Sequence, residues 1–187
     1  FLMFDGTLLI GHYAVRPTII QAGEELMSAA LILDAMTHPR YRRLGVFTSL
    51  SRSTYEECRR KGVKFLYGFP NENSLYPFTT KLGGKAVGHV PMLAMNLMGG
   101  QSKRCLDQTD YLVEEFDKFG PEVDELWDDI KKQFFLVVPR TSRYLNWRFR
   151  GYRRYTTYAI RNDSVLVGYV VLKLYQKASG TIGHIVD

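Results

Sequence analysis

A strand, a basic turn and a helix follow one another in the first half of this sequence, and their order limits the folds open to the chain. The apolar run at residues 29–36 is typical of a buried strand. An arginine-rich turn then leads into a helical pattern from about Gly45 to Lys61, which stops at Gly62, and a further strand pattern follows at residues 63–67. These segments predict a βαβ unit with a right-handed crossover, and therefore an α/β fold that contains a parallel strand pair.

The turn in this unit is suited to holding an anion. Backbone N–H groups collect at the N-terminus of a helix, and the helix dipole favours negative charge there. Arg40, Arg42 and Arg43 add positive charge beside it. The three spaced glycines of a dinucleotide fingerprint are missing, and so is the Gly-Lys-Ser/Thr of a Walker loop. The sequence therefore predicts a pyrophosphate site outside these two motif classes.

Strand and helix patterns continue along the whole chain. Phe1–Phe4 and Leu8–Val15 are predicted to form a hairpin, and Leu26–Met36 is the next strand. The later predicted elements are, in order, a short helix within 71–82, strands at 86–91 and 111–116, a helix at 121–132, a strand at 134–138, a helix at 141–149, a hairpin of 155–161 and 165–175 joined across Asn162-Asp163, and a strand at 181–186. We expect a mixed sheet within an α/β (α+β) fold.

Two parts of the sequence are similar to each other. Asp5–Tyr13 resembles Asn162–Tyr169, and each is followed by an apolar strand that closes on an aspartate, Asp34 in one part and Asp187 in the other. Two elements repeated in the same order indicate a duplication.

The duplication predicts a division of the chain. Residues 1–96 would form a first domain, residues 97–108 a linker, and residues 109–187 part of a second repeat. Because this second copy ends before it reaches a phosphate turn of its own, we expect it to carry no complete site.

The composition of the chain indicates which class of ligand and which cellular compartment to expect. The formal net charge of +6 favours an anionic ligand. No apolar run reaches the roughly 20 residues that span a bilayer. Phe1 is not an initiator Met and no signal peptide is visible, so we expect an N-terminally incomplete cytoplasmic protein. Cys58 and Cys105 do not form a metal-binding pattern, which suggests a reducing compartment and no zinc site.

The segment His38–Phe47 resembles the acyl-CoA-binding motif of the GNAT N-acyltransferase superfamily, in which Arg/Gln-x-x-Gly-x-Gly/Ala follows a proline. Arg42 and Gly45 occupy the first two fixed positions of that motif. Phe47 stands where Gly or Ala is usual.

Two further segments are similar to parts of the same family. Lys-Leu-Gly-Gly at residues 81–84 resembles the Lys-Leu-Gly-Phe that ends a later short helix. Residues 144–149, together with Gly168-Tyr169, resemble a bacterial subgroup with two GNAT-like repeats. The resemblance implies a GNAT-like sheet that lacks the family's first strand and first two helices, followed by part of a second GNAT-like repeat.

The resemblance also implies an activity. It is direct transfer of an acetyl (acyl) group from acetyl-CoA to the primary amine of a small molecule or peptide, with no metal and no covalent enzyme intermediate. Two other readings stay open: a non-catalytic CoA- or peptide-binding module, and a nucleic-acid binder that uses the arginines and aromatic side chains of residues 147–155. Unpaired strand edges also make a homo-oligomer possible.

The family pattern assigns residues to the co-substrate. The strand that ends at Met36 and Thr37 would splay from the strand at Val63, and the pantetheine arm of CoA would fill the gap. A backbone N–H near Met36 would polarise the thioester carbonyl. Asn73 would contact the CoA arm or simply cap a helix. The residues implied to hold the pyrophosphate are Arg42, Arg43, Leu44, Gly45, Val46 and Phe47.

The acid and the base are assigned by position. Asp34, two residues before Met36, is the predicted base or else a paired structural carboxylate. The tyrosine that usually serves as the acid is replaced by Thr79. Tyr76, about one helical turn earlier, is therefore the predicted acid or else a packed aromatic. His38 is either a second candidate base or a turn residue before proline.

Overall fold

The structure is a computed structural model that describes residues 1–97, 110–151, 155–178 and 180–187. These residues form two compact units. The first comprises Phe1–Pro91 with Phe135–Val138, and the second comprises the described parts of Met92–Phe134 and Pro139–Asp187. Except for Leu97, the predicted linker at 97–108 lies outside the described residues.

The helices and strands alternate along the chain broadly as the sequence patterns predict. In chain order they are β1 (Leu2–Asp5), β2 (Leu8–Ala22), β3 (Glu25–Thr37), α1 (Val46–Arg60), β4 (Phe65–Gly68), α2 (Glu72–Lys81), β5 (Tyr111–Glu115), α3 (Pro121–Ile130), β6 (Leu136–Val137), α4 (Ser142–Leu145), β7 (Thr156–Asn162), β8 (Val165–Lys177) and β9 (Gly180–Ile185). A 3-10 turn, Pro39–Tyr41, precedes α1, and a π-helical turn, Asn146–Arg150, follows α4. Among these described helices, none is both long enough and apolar enough to cross a membrane.

The first unit contains a mixed sheet in the order β1-β2-β3-β4. The strands β1, β2 and β3 are antiparallel neighbours, and β4 pairs with β3 in parallel after the crossover through α1. This arrangement confirms the predicted βαβ unit. The short strand β6 extends the sheet by pairing with Gln21 and Ala22 at the end of β2.

Helix α1 packs against β2, and the apolar side chains between them form the core of the unit. Ile10, Tyr13, Val46 and Leu50 are all buried there. Gly11 lets the helix come close, because a Cβ at that position would lie 2.5 Å from Val46 Cγ1 and 2.7 Å from Leu50 Cδ1. The close approach fixes the start of α1 relative to the sheet, and with it the basic turn.

The second unit contains an antiparallel sheet in the order β5-β7-β8-β9. Side chains of α3, of the α4 region and of the segment just before α3 cover one face of it, and they pack on Ala159 and Val171. They include Phe119, Val123 and Leu145. The start of α4 is capped by Thr141, whose hydroxyl accepts from the Tyr144 N–H. The predicted hairpin of β7 and β8 is confirmed.

The hairpins β1–β2 and β7–β8 share an irregularity in their pairing. Each has a two-residue loop. In β2 the residue passed over by the pairing is Ile10, just before Gly11. In β8 it is Val167, just before Gly168. The bulges therefore fall at matching places of the repeated sequence motif.

The two aspartates that close the repeated motif also lie at matching irregularities. Asp34 follows Leu33, the partner of Ala14, where the β2–β3 register shifts. In the second hairpin region, the Val171 carbonyl accepts from the Val186 N–H, and the Val171 N–H donates to the Asp187 carbonyl. Val171 is therefore paired with two consecutive residues, and the second of them is Asp187.

Some sequence predictions are wrong in detail. The strand predicted at 86–91 is absent from the structure, where that described segment has no regular structure and Val87 is 99% exposed. An isolated apolar run cannot form a strand without a neighbouring edge to pair with. The β7–β8 loop is Asp163-Ser164, one residue later than predicted, and both residues have positive φ, as two-residue hairpin loops require. β2 runs to Ala22 rather than Val15 because β3 pairs with it along its length.

Candidate active site

The basic turn before α1 has an unusual backbone. His38 caps the 3-10 turn, and its Nδ1 accepts from the Arg40 N–H at 3.3 Å. Arg43 and Gly45 then both have positive φ, at 65° and 84°. Such conformations are uncommon for a residue with a side chain and cluster at functional sites. The turn is tied to β1, because the Tyr41 hydroxyl donates to Asp5 Oδ2 at 2.5 Å, a bond that raises the pKa of Tyr41.

The first turn of α1 leaves backbone donors open. Gly45 is its N-cap and provides no side-chain cap. The first backbone bond of the helix runs from the Ser49 N–H to the Gly45 carbonyl at 2.9 Å. The N–H groups of residues 46–48 come before that bond and are therefore available to an anion. Arg42 and Arg43 are exposed beside them, and within the described residues neither forms a salt bridge.

Phe47, the bulky residue at the third fixed position of the acyl-CoA-binding motif, packs against the core of the first unit. The Phe47 ring makes edge-to-face contacts with Tyr13, at 5.7 Å between centroids, and with Phe78 of α2, at 5.4 Å. Its side chain thus joins α1 to β2 and α2. Its backbone N–H stays in the first turn of the helix, among the N–H groups of residues 46–48 that precede the first helical bond.

A cleft opens where β3 and β4 separate. Their parallel pairing ends at Ile32 and Gly68. Beyond this point β3 continues to Thr37, whereas the segment that follows β4 turns into α2. The cleft has a volume of about 230 Å³. Its walls are residues 32–35 of β3, residues 68–71 after β4, and Ser74 and Phe78 of α2. The predicted splay of these two strands is thus present.

Asp34 lies on the wall of this cleft, at the bulge in β3. Its φ is 50°, and its side chain is exposed. Its carbonyl accepts a hydrogen bond from His12 Nδ1 at 2.7 Å. The sequence prediction for this site did not include His12. Its position directly after Gly11 in the repeated motif is the one sequence signal that could have singled it out.

The other predicted site residues are placed as follows. Met36 and Thr37 lie at the end of β3, next to the segment that lines the cleft. Asn71, not Asn73, caps α2, with its side chain accepting from the Ser74 N–H at 3.1 Å. Asn73 lies in the first turn of α2, outside the cleft lining.

The predicted acid also lies outside the lining. Tyr76 is on α2 and its side chain is 67% exposed. At the usual position of the acid, the Thr79 hydroxyl donates to the Leu75 carbonyl of its own helix at 3.1 Å. Within the part of the chain that the structure describes, no group of three His, Cys, Asp or Glu side chains is placed to hold a metal ion.

Comparisons with known proteins agree with this geometry. Residues 1–87 match the family model described as "Acetyltransferase (GNAT) domain". No curated protein sequence matches the chain. A GCN5-related N-acetyltransferase structure from Anabaena variabilis has 16% identity and a TM-score of 0.64, over 100% of this chain and 47% of that one. A GCN5-related N-acetyltransferase from Kribbella flavida has 16% identity and a TM-score of 0.54, over 97% and 45%.

A third similar structure belongs to a different acyltransferase. It is Saccharomyces cerevisiae N-myristoyltransferase with bound myristoyl-CoA, with 12% identity and a TM-score of 0.57 over 94% of this chain and 48% of that one. The chain spans about half the length of these proteins. At such low identity the likeness shows the fold, which is the GNAT-like mixed α/β fold that the sequence predicts. The part of the chain that matches the GNAT acetyltransferase family model, residues 1–87, is a little under half of its 187 residues.

Proposed function

We propose that this chain supplies the acyl-CoA site of an N-acetyltransferase, which transfers an acetyl group from acetyl-CoA directly to a primary amine. The observation that carries the proposal is the combination, within one unit, of open N–H groups at the start of α1 and a cleft between β3 and β4. The related yeast structure is one with an acyl-CoA bound, which supports this class of co-substrate.

The residues present fit CoA. The N–H groups of residues 46–48, with Arg42 and Arg43, would hold its pyrophosphate, and the β3–β4 cleft would take the pantetheine arm. A Cβ at Gly45 would meet nothing within 4 Å, so the turn is open to a ligand. Acetyl-CoA supplies an activated acetyl group as a thioester.

The proposed chemistry is direct transfer. Asp34, on the cleft wall, is the proposed base for the acceptor ammonium, and a backbone N–H near Met36 is the proposed donor to the thioester carbonyl. Tyr76 stays the proposed acid, although its exposed ring must turn toward the cleft to act. The acceptor would be a small molecule or a peptide, and the cytoplasmic location stays a prediction.

We also propose that the chain spans parts of two GNAT-like repeats, as in the bacterial subgroup, with residues 1–96 as the acyl-CoA core, 97–108 as a linker and 109–187 as the second copy. The matching bulges at Ile10 and Val167 support this duplication. The open strand edges would favour a homo-oligomer.

Calorimetry with CoA and with pantetheine tests the binding site. We expect binding to depend on the pyrophosphate and to be lost in Gly45→Glu, which places a carboxylate in the anion site. Gly62→Glu is the matched control, because Gly62 also has positive φ and open space around a Cβ but lies at the other end of α1. Equal binding of pantetheine and CoA would contradict the proposal.

Release of the CoA thiol in the presence of primary amines separates the enzyme from a non-catalytic module. Thr79 and the exposed Tyr76 are the observations that favour a module. The enzyme releases thiol only when acetyl-CoA and an amine are both present, whereas a module binds CoA without turnover.

A further inference from the structure

We infer that His12 is a further catalytic residue of the proposed transferase, with its Nε2 accepting the proton that the acceptor ammonium loses. The N–H bond of the ammonium breaks, an Nε2–H bond forms, and the resulting imidazolium later releases the proton to solvent. This inference rests on the proposed function, gives to His12 the proton-accepting role proposed above for Asp34, and leaves Asp34 to bind the acceptor ammonium. Neither the acyl-CoA-binding motif nor the family match singles out His12.

The first support is where the ring lies. His12 is half-buried in β2, between its partners Leu2 of β1 and Met36 of β3. Its Nδ1 is 2.7 Å from the carbonyl oxygen of Asp34. Asp34 is itself a residue of the cleft wall. The imidazole is therefore hydrogen-bonded to the backbone of a wall residue, from the strand next to it, although His12 is not itself a lining residue of the cleft.

The second support is the tautomer that this contact requires. A carbonyl oxygen only accepts hydrogen bonds, so Nδ1 must carry the hydrogen. In the neutral imidazole the lone pair then belongs to Nε2. Among the described residues, no hydrogen-bond partner occupies Nε2. The bond to Asp34 thus leaves the ring with a free proton acceptor.

Two charged side chains, those of Arg16 and Asp34, belong to the described strand segments near His12. Alternation along β2 places Arg16 on the same face as His12, and Asp34 is the neighbouring charged residue of β3. The facing residues of β1, Leu2 and Phe4, are apolar. An acceptor ammonium that approaches the ring would meet the Asp34 carboxylate, which would hold it while His12 takes its proton.

The second hairpin provides an internal comparison. Tyr169 follows Gly168 as His12 follows Gly11, and its hydroxyl donates to the Asp187 carboxylate at 2.8 Å. That carboxylate also receives Arg140 Nε at 3.1 Å. At the position equivalent to His12, the Tyr169 hydroxyl is thus hydrogen-bonded to a carboxylate that is itself paired with Arg140, whereas His12 Nε2 has no partner among the described residues.

The variant His12→Asn separates catalysis from positioning. The Asn Nδ2 lies where His Nδ1 lies, so it can keep the bond to the Asp34 carbonyl, but it has no group at the Nε2 position. We expect His12→Asn to bind CoA with unchanged affinity by calorimetry and to lose about 10²-fold or more in kcat, together with one limb of the pH–rate profile. His12→Phe should lose the bond as well. Tyr169→Phe is the matched control and should keep kcat.

A second measurement does not depend on turnover. Long-range ¹H–¹⁵N spectra of the free protein, with His12 assigned by its loss in His12→Asn, should show Nδ1 protonated and Nε2 bare. Protonation at Nε2, or wild-type kcat in His12→Asn, would overturn the inference. Absence of CoA binding and of thiol release in the wild type would instead overturn the proposed function, and the tautomer result would still stand.

Discussion

At the scale of single residues, the backbone conformation of Asp34 decides which substitution can test the role of its carboxylate. Its φ of 50° lies in the left-handed region, where Asp and Asn are tolerated better than other residues with a side chain. Asp34→Asn therefore removes the charge while keeping the backbone. Asp34→Ala changes both, because alanine is strained there.

We expect Asp34→Asn to lower kcat and to leave the dissociation constant of CoA within a few-fold, since Asp34 lies on the cleft wall and not in the phosphate turn. The free energy of unfolding should be nearly that of the wild type. Steady-state kinetics, calorimetry and denaturant titration measure the three quantities. An unchanged kcat over the whole pH range would make Asp34 a structural residue, with no part in proton transfer or in binding the acceptor ammonium.

At the scale of elements, the packing of α1 on β2 is what places the basic turn. Tyr13 is fully buried in that interface, and its hydroxyl is 3.2 Å from the Tyr55 hydroxyl of α1. Burial, followed by the bond to Tyr55, raises the pKa of Tyr13 well above its usual range. The same interface relies on Gly11 for the close approach of the helix.

The buried phenol predicts a loss of stability in alkali. In the unfolded chain Tyr13 ionises near pH 10, whereas in the folded protein it keeps its proton. The unfolded state then binds fewer protons than the folded state, so the free energy of unfolding falls as pH rises above about 10. Tyr13→Phe should make this fall shallower, and should cost about 1 kcal/mol at neutral pH through the lost hydrogen bond. Denaturant titrations from pH 7 to 11 measure both, and identical slopes would contradict the prediction.

The two equivalent glycines of the repeated motif form a matched pair. Gly11→Ala should destabilise by about 1–3 kcal/mol, because its Cβ would clash with the stiff Val46 side chain. Gly168→Ala should be neutral or slightly stabilising, since its Cβ would lie an ordinary 3.7 Å from Ile160 Cδ1. Circular dichroism follows both units, whereas fluorescence of Trp127 and Trp147 follows the second unit. Equal effects of the two substitutions would show that α1 does not need the close approach.

At the scale of the whole molecule, the two units differ in the surroundings of the aspartate that closes each copy of the repeated motif. In the first, the bulge at Asp34 borders a cleft, and the strand that carries it leads into the basic turn. In the second, Asp187 is bound by Tyr169 and Arg140, and burial together with Asp187 raises the pKa of Tyr169. We therefore expect one CoA per chain.

Native mass spectrometry with CoA measures this stoichiometry directly. The expected species carries one CoA per chain, and Gly45→Glu should carry none. Two CoA per chain would refute the assignment of the second unit as a copy without a site. The same spectra report the oligomeric state, and a strictly monomeric protein at high concentration would count against self-association through strand edges.

The sequence by itself determined the features that depend on neighbouring residues. The order of strand, basic turn and helix, the helix stop at Gly62 and the β7–β8 hairpin all follow from local patterns, and the structure has them. The repeated motif was also visible, because turn residues and alternating apolar residues leave a local signature. The helix start at Gly45 was predictable for the same reason.

Tertiary structure decided whatever depends on pairing between distant segments. The strand predicted at 86–91 did not form, because an apolar run becomes a strand only beside a free edge. The divergence of β3 from β4 beyond Ile32 was predicted only through a family resemblance, and the bulge at Asp34 was not predicted at all, because register is set between strands. The bond between His12 and Asp34 joins residues 22 positions apart, so no local pattern could have revealed it.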